Sequence, residues 1–139
     1  MHTPKWPETL PVAQVRVARP TDRLDDVVRF YEQGLGLRKL AEFHDHAGYD
    51  GVMLGLPGTD YHLEFTSHVD GSPGTAPSSE NLLVLYFDDE EQMSRAVDRL
   101  SGFGVAAVAL DNPYWGANGG TAFPDPDGWI VVLMPRPVF

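Results

Sequence analysis

One order of elements occurs twice in this chain, and that repetition limits the folds open to it more than any single residue does. In the first half, Val12–Val17 alternates as a strand, with Val15 and Val17 on one face and Gln14 and Arg16 on the other. Pro20 stops it. Asp22 is expected to cap a helix, with Asp25 and Asp26 in the first turn where the helix dipole favours anions. Leu24, Val27, Val28 and Tyr31 then form one apolar stripe at helical spacing, and Gly34 and Gly36 end it. Three strands are expected to follow, at Leu37–His46, Tyr49–Leu56 and Tyr61–Ser67. They are broken by Ala47-Gly48 and by Pro57-Gly58-Thr59-Asp60.

His68–Glu80, rich in Gly, Pro and Ser, reads as a linker. The order then starts again. Asn81–Phe87 is a strand, Asp88 or Asp89 caps the next helix, and Asp89 with Gln92 resembles a capping box. Met93, Ala96, Val97 and Leu100 form the second stripe, and Gly102 is the expected stop. Strands are expected at Val105–Leu110, Thr121–Phe123 and Trp129–Met134, with the turn Pro124–Gly128 before the last. The two stripes match position for position, Leu24 with Met93, Val27 with Ala96, Val28 with Val97 and Tyr31 with Leu100. The reading is an α+β fold of two βαβββ modules, 12–67 and 81–135, joined by the linker 68–80 within a single domain spanning 1–139. A module this small covers one face of its sheet with its helix. The other face must curl into a cup or meet a second module.

Composition narrows the partners. Ten Lys and Arg stand against 20 Asp and Glu, a net charge of −10. That argues against nucleic acid, whose phosphates need clustered cations, and leaves room for a neutral or cationic small ligand. The chain has no cysteine, which removes disulfides, thiolate metal sites and a cysteine nucleophile. The longest apolar stretch, near Phe103–Leu110, falls well short of the ~20 residues of a bilayer span. No apolar signal segment opens the sequence, so a cytoplasmic location is expected, with no membrane partner.

Two marks carry a family resemblance. Leu24-Asp25-Asp26-Val27-Val28-Arg29-Phe30-Tyr31, leading to Leu35-Gly36-Leu37, resembles the first-module signature of the vicinal oxygen chelate superfamily, and Asp125-Pro126-Asp127-Gly128 resembles its second common mark. This superfamily includes glyoxalase I, extradiol dioxygenases, fosfomycin-modifying enzymes and bleomycin-binding resistance proteins. The run from Asn112 to Met134 is most similar to a bacterial branch known only as glyoxalase-like. The resemblance implies paired βαβββ modules whose eight strands enclose a cup, and a homodimer. In the metalloenzymes of the superfamily, His, Gln or Glu ligands on the first and last strands of each module hold a divalent metal.

The ligand positions can be tested one by one. The alternation of the first strand turns Gln14 and Arg16 into the cup; Gln14 could ligate, whereas Arg16 has no lone pair to offer. On the fourth strand Leu63 and Phe65 take the core face, which leaves His62, Glu64 and Thr66 inward, with Glu64 where the family's first carboxylate would be. In the second module the matching positions are Leu82, Val84 and Tyr86 on one strand and Val132 on the other, none of them a strong ligand. No cofactor is therefore expected; a divalent metal on Gln14 and Glu64 would need further, unexpected ligands. His44 and His46 could form a metal pair, but polar residues at an exposed hairpin end are the simpler reading.

Tyr114 and Trp115 lie in a polar, Gly-rich loop where no core demands aromatic rings. A Trp there commonly stacks on a ligand or a partner chain. The expected function is thus binding of a small, cationic or aromatic molecule in the cup, lined by Gln14, Arg16, His62, Glu64, Tyr86, Tyr114, Trp115 and Phe123. Two alternatives stand beside it: a divalent-metal-dependent glyoxalase-type lyase, isomerase or dioxygenase, and a metal-independent enzyme in which His62 and Glu64 transfer protons and Arg16 stabilises an oxyanion.

Overall fold

The computed structural model describes residues 8–56 and 58–139. Alternating apolar residues build β1 (Val15–Pro20), β2 (Arg38–His46), β3 (Tyr49–Gly55) and β4 (Tyr61–His68) into one sheet of order β1-β4-β3-β2. The β1–β4 pair is parallel and the others antiparallel. Between β1 and β2 runs α1 (Leu24–Arg29), continued by a π-helical turn at Phe30–Gly34. In the second half, β5 (Leu82–Tyr86), β6 (Thr121–Pro124) and β7 (Ile130–Met134) form a sheet of order β5-β7-β6. The helix α2 (Glu90–Phe103) follows β5, and a short helix α3 (Tyr114–Ala117) precedes β6.

The repeat is therefore present, with two corrections: β1 starts at Val15 and runs through Pro20, which lies opposite Thr66 at the sheet edge, and the second module lacks a strand. Val105–Leu110 is not a strand; a single bridge joins Val108 to Ala122, where the Val108 amide donates to the Ala122 carbonyl at 2.9 Å. The described residues thus hold seven strands, not eight. Ala106, Ala107 and Ala109 offer little side chain to pack against a neighbouring strand.

Helix ends differ from expectation in two places. Asp22 does not cap α1, whose N-cap is Arg23 without a side-chain bond. Its carboxylate instead accepts the amide of Ser72 in the linker. Gly102 lies inside α2, and Gly104 (φ +103°) takes the left-handed C-cap. Of the two candidates Asp88 and Asp89, it is Asp89 that caps α2, its side chain accepting the Gln92 amide at 2.8 Å.

The helix-covered faces of both sheets meet in one core. Val52, Leu54, Leu63 and Phe65 of the first sheet, Phe123, Val131 and Leu133 of the second, and Val27, Tyr31, Met93 and Leu100 of the helices share it. Gly34 makes room at the helix contact: a methyl group there would stand 3.2 Å from Phe103 and 3.3 Å from Leu100. The Arg99 guanidinium reaches across to the Gln33 carbonyl at 2.9 Å. The linker is packed as well. The Trp129 indole N–H donates to the Gly74 carbonyl at 2.9 Å, and Gly74 lies so close to the Pro20 carbonyl that no Cβ would fit. Because the helix-covered faces pack together, the opposite face of each sheet is left outside this core, and those faces carry the candidate site.

Candidate functional site

On the first sheet, parallel pairing sets Arg16 beside His62 and Ala18 beside Glu64. Side chains alternate along both strands, so Arg16, His62 and Glu64 share the face away from Leu63 and Phe65. The Arg16 Nε donates to His62 Nε2 at 2.8 Å. Its Nη1 lies 3.6 Å from the Glu64 carboxylate, and Nη2 lies 3.4 Å from the Met53 sulfur. The His62 residue is only 5% exposed. With Nε2 accepting from Arg16, the ring proton belongs on Nδ1, which is buried with no hydrogen-bond partner. Neither nitrogen is thus presented to solvent as a free acid or base, and the proton-transfer pairing of His62 with Glu64 has no geometric support.

The other predicted residues scatter. Gln14 lies just before β1 and is exposed. His44 and His46 stay exposed at the β2–β3 hairpin, where His44 lies 4.0 Å from Glu42 and 3.9 Å from Asp50. Phe123 is a correction: it is fully buried in the core on the helix side and cannot line the opposite face. In β6 it is Ala122 that takes that face, packed with Ile130, Val132 and Met134. Tyr86 pairs with Met134 at the end of β5, on the same face as Leu82 and Val84, and is 44% exposed.

Over this second apolar face lies the Gly-rich loop. Trp115 and Leu110 pack on Ala122, Ile130, Val132 and Met134, so the indole has a packing role that its polar loop did not suggest. Tyr114 is exposed and meets the indole edge-on, ring centres 5.1 Å apart. Gly120 allows the loop to close: its amide donates to the Trp115 carbonyl at 2.8 Å, and a methyl group there would fall 2.6 Å from the Met134 sulfur. Two small cavities of about 130 and 150 Å³ flank the indole, both also lined by Leu110 and Asn112. Each is smaller than the roughly 300 Å³ that a drug-sized ligand occupies.

A divalent metal does not fit these residues. The first sheet offers one carboxylate and one imidazole nitrogen, both turned toward a guanidinium, and the second offers Leu82, Val84, Tyr86 and Val132. Among the described residues no group of three or more His, Asp or Glu side chains could hold a metal ion. Zinc sites draw at least three ligands from the protein, and here the one imidazole and the one carboxylate already face a cation of the chain itself.

Sequence spacing alone missed a buried polar cluster between the modules. Tyr31 donates to Asp125 at 2.7 Å, and the Asp125 carboxylate also accepts the amides of Asp127 (2.8 Å) and Trp129 (3.0 Å). Arg19, on the core face of β1, lies 3.7 Å from that carboxylate, and its guanidinium sits 4.5 Å from the centre of the Trp129 ring. Burial raises the Asp125 pKa from its ordinary value, against the pull of these donors, and raises that of Tyr31 well above the ordinary phenol value. The cluster ties β1 and the first helix to the turn before β7, and so joins the two modules.

Two layered modules with α1 and α2 sharing one core define the glyoxalase/bleomycin resistance fold of the vicinal oxygen chelate superfamily, and solved structures carry the same arrangement. Residues 15–66 match the YycE-like N-terminal domain and residues 80–135 the YycE-like C-terminal domain, so the chain belongs to the YycE-like family. It is 48% identical over 122 residues to the uncharacterized protein YycE of Bacillus subtilis (strain 168), covering 88% of this chain and 87% of that one. The crystal structure of a Bacillus subtilis YycE protein superposes with a TM-score of 0.89 over 98% of each chain, at 43% identity. TnmS3, an antibiotic binding protein from Streptomyces sp. CB03234, superposes with a TM-score of 0.65 at 25% identity, over 91% of this chain and 98% of its own. No helix of the described residues is long and apolar enough to cross a membrane.

Proposed function

We propose that this protein binds a small, partly aromatic molecule without a metal ion. The observation that carries the reading is the pairing of Arg16 with His62 and Glu64, which puts an organic cation at the first sheet's lone-pair donors. The Tyr114–Trp115 edge and Tyr86 supply aromatic surface on the other sheet. Because the cavities beside Trp115 are small, the ligand stacks on the exposed rings instead of entering beneath them. The net charge of −10 favours a cationic ligand that carries its charge at the aromatic edge, away from the Arg16 guanidinium. The antibiotic-binding relative supports binding as a use of this fold.

The helix-covered faces join in one core, so the Arg16 face and the Trp115 face lie outside it. A second copy of the chain would set its Trp115 face opposite the first copy's Arg16 face, and the protein acts as a homodimer with two such clefts.

The test is a screen of planar aromatic cations by isothermal titration in the presence of a chelator. At least one compound should bind saturably, and Trp115→Ala should weaken it by roughly tenfold or more, the size of one lost aromatic stack. Circular dichroism should show the variant folded. Full affinity in the folded variant, or binding that requires added divalent metal, would remove the reading.

A further inference from the structure

Arg16 is surrounded by the kinds of atom that usually surround a metal ion. An imidazole nitrogen (2.8 Å), a carboxylate oxygen (3.6 Å) and a thioether sulfur (3.4 Å) converge on one guanidinium from β4 and β3. All three are lone-pair donors, whereas the guanidinium is always protonated and has none. The hydrogen bond from Arg16 also leaves the His62 proton on Nδ1, the tautomer in which Nε2 is free to ligate. The backbone holds the arrangement, because positions 16 and 62 are direct partners across the β1–β4 ladder.

We propose that Arg16 is the built-in cation of this site. It occupies the place between His62 and Glu64, neutralises the carboxylate, and keeps divalent metals out by charge repulsion. The half-exposed guanidinium keeps further N–H donors for an oxygen of a bound molecule. With a ligating side chain in its place, the site becomes metal-binding. Arg16→His would bring together two imidazoles and the Glu64 carboxylate, a set that suits Zn²⁺, Co²⁺ and Fe²⁺.

The inference rests on the metal-free reading above, and one experiment separates the two. Wild type, Arg16→His and Arg16→His/Glu64→Gln are stripped with a chelator, dialysed and titrated with Co²⁺ alone, read by visible ligand-field absorption and by equilibrium dialysis. Arg16→His should take up one Co²⁺ per chain with new visible bands and an affinity at least roughly tenfold above wild type, as loss of a repelling charge at this distance requires. The double variant should lose the bands. Should Arg16→His fail to fold by circular dichroism, Arg16→Gln removes the charge with less change of shape, and it should still raise Co²⁺ affinity above wild type. Tight Co²⁺ uptake by wild type would contradict both the inference and the metal-free reading. A folded variant that gains nothing over wild type would contradict the inference alone.

Discussion

The phenol of Tyr31 and the carboxylate of Asp125 meet across the module boundary in a buried 2.7 Å hydrogen bond. Each belongs to one of the two sequence marks of the chain, the Phe30-Tyr31 pair at the end of the first helix and the Asp-Pro-Asp-Gly turn before β7. These marks are thus two halves of one contact. Asp125 also orders its own turn through the amides of Asp127 and Trp129, so the group that shapes the second module's last turn is the one that receives the first module's helix.

Removing the donor should be costly. Tyr31→Phe keeps the ring stacked on Phe65 but leaves a buried carboxylate with one donor fewer. The expected loss is about 1–3 kcal/mol of unfolding free energy, measured by chemical denaturation. A change within about 0.5 kcal/mol, the size of an ordinary surface substitution, would mean that the contact does not join the modules.

Asp125 should also write a pH signature. Burial raises its pKa, so folding favours the protonated form. That contribution is present below the ordinary carboxylate value of about 4 and is lost as pH rises through the raised value. Asp125→Asn cannot ionise and lacks this dependence. The stability difference between wild type and variant should therefore be largest near pH ~4 and shrink toward neutral pH. Denaturation midpoints measured across that range would contradict the account by showing the penalty of the variant growing with pH.

The loop over the second sheet depends on Gly120. A methyl group there would collide with the Met134 sulfur and lie 2.8 Å from the Trp115 carbonyl, which is backbone and cannot turn aside. Gly120→Ala should lift the indole from Ala122 and Val132. With fluorotryptophan incorporated, the ¹⁹F resonance of Trp115 should move toward the solvent-exposed position, while that of Trp129, held by Arg19 and Gly74, stays. An unmoved Trp115 signal would show that the loop closes in some other way.

Local patterning is legible in this sequence, and long-range packing is not. Strand alternation placed Leu63 and Phe65 in the core and Arg16, His62 and Glu64 on the other face, because period-2 patterning is local and one side of the sheet is strongly apolar. Phe123 joins the candidate lining as one of the second module's aromatics, and parity does not place it, since four residues with an apolar side chain on both faces give it nothing to decide on. The Asp22 cap failed because a tertiary partner, the Ser72 amide, competes for the same carboxylate. Nothing in the spacing pointed to Arg19. Its role is set by Asp125 and Trp129, which come from the other module, and only the packing of the two modules brings them into reach. The polar residues around Trp115 point to a free loop, but that loop folds back onto the apolar face of β7.

The central claim is that the cation facing His62 and Glu64 is Arg16 and not a metal. Its most direct test is elemental analysis of wild-type protein purified without chelators or affinity-tag metals, paired with thermal denaturation in the presence of Mg²⁺, Mn²⁺, Fe²⁺, Ni²⁺ or Zn²⁺. The account predicts metal far below one equivalent per chain and no stabilisation by any of the ions. Near-stoichiometric metal, with a raised melting temperature on adding the same ion, would contradict it.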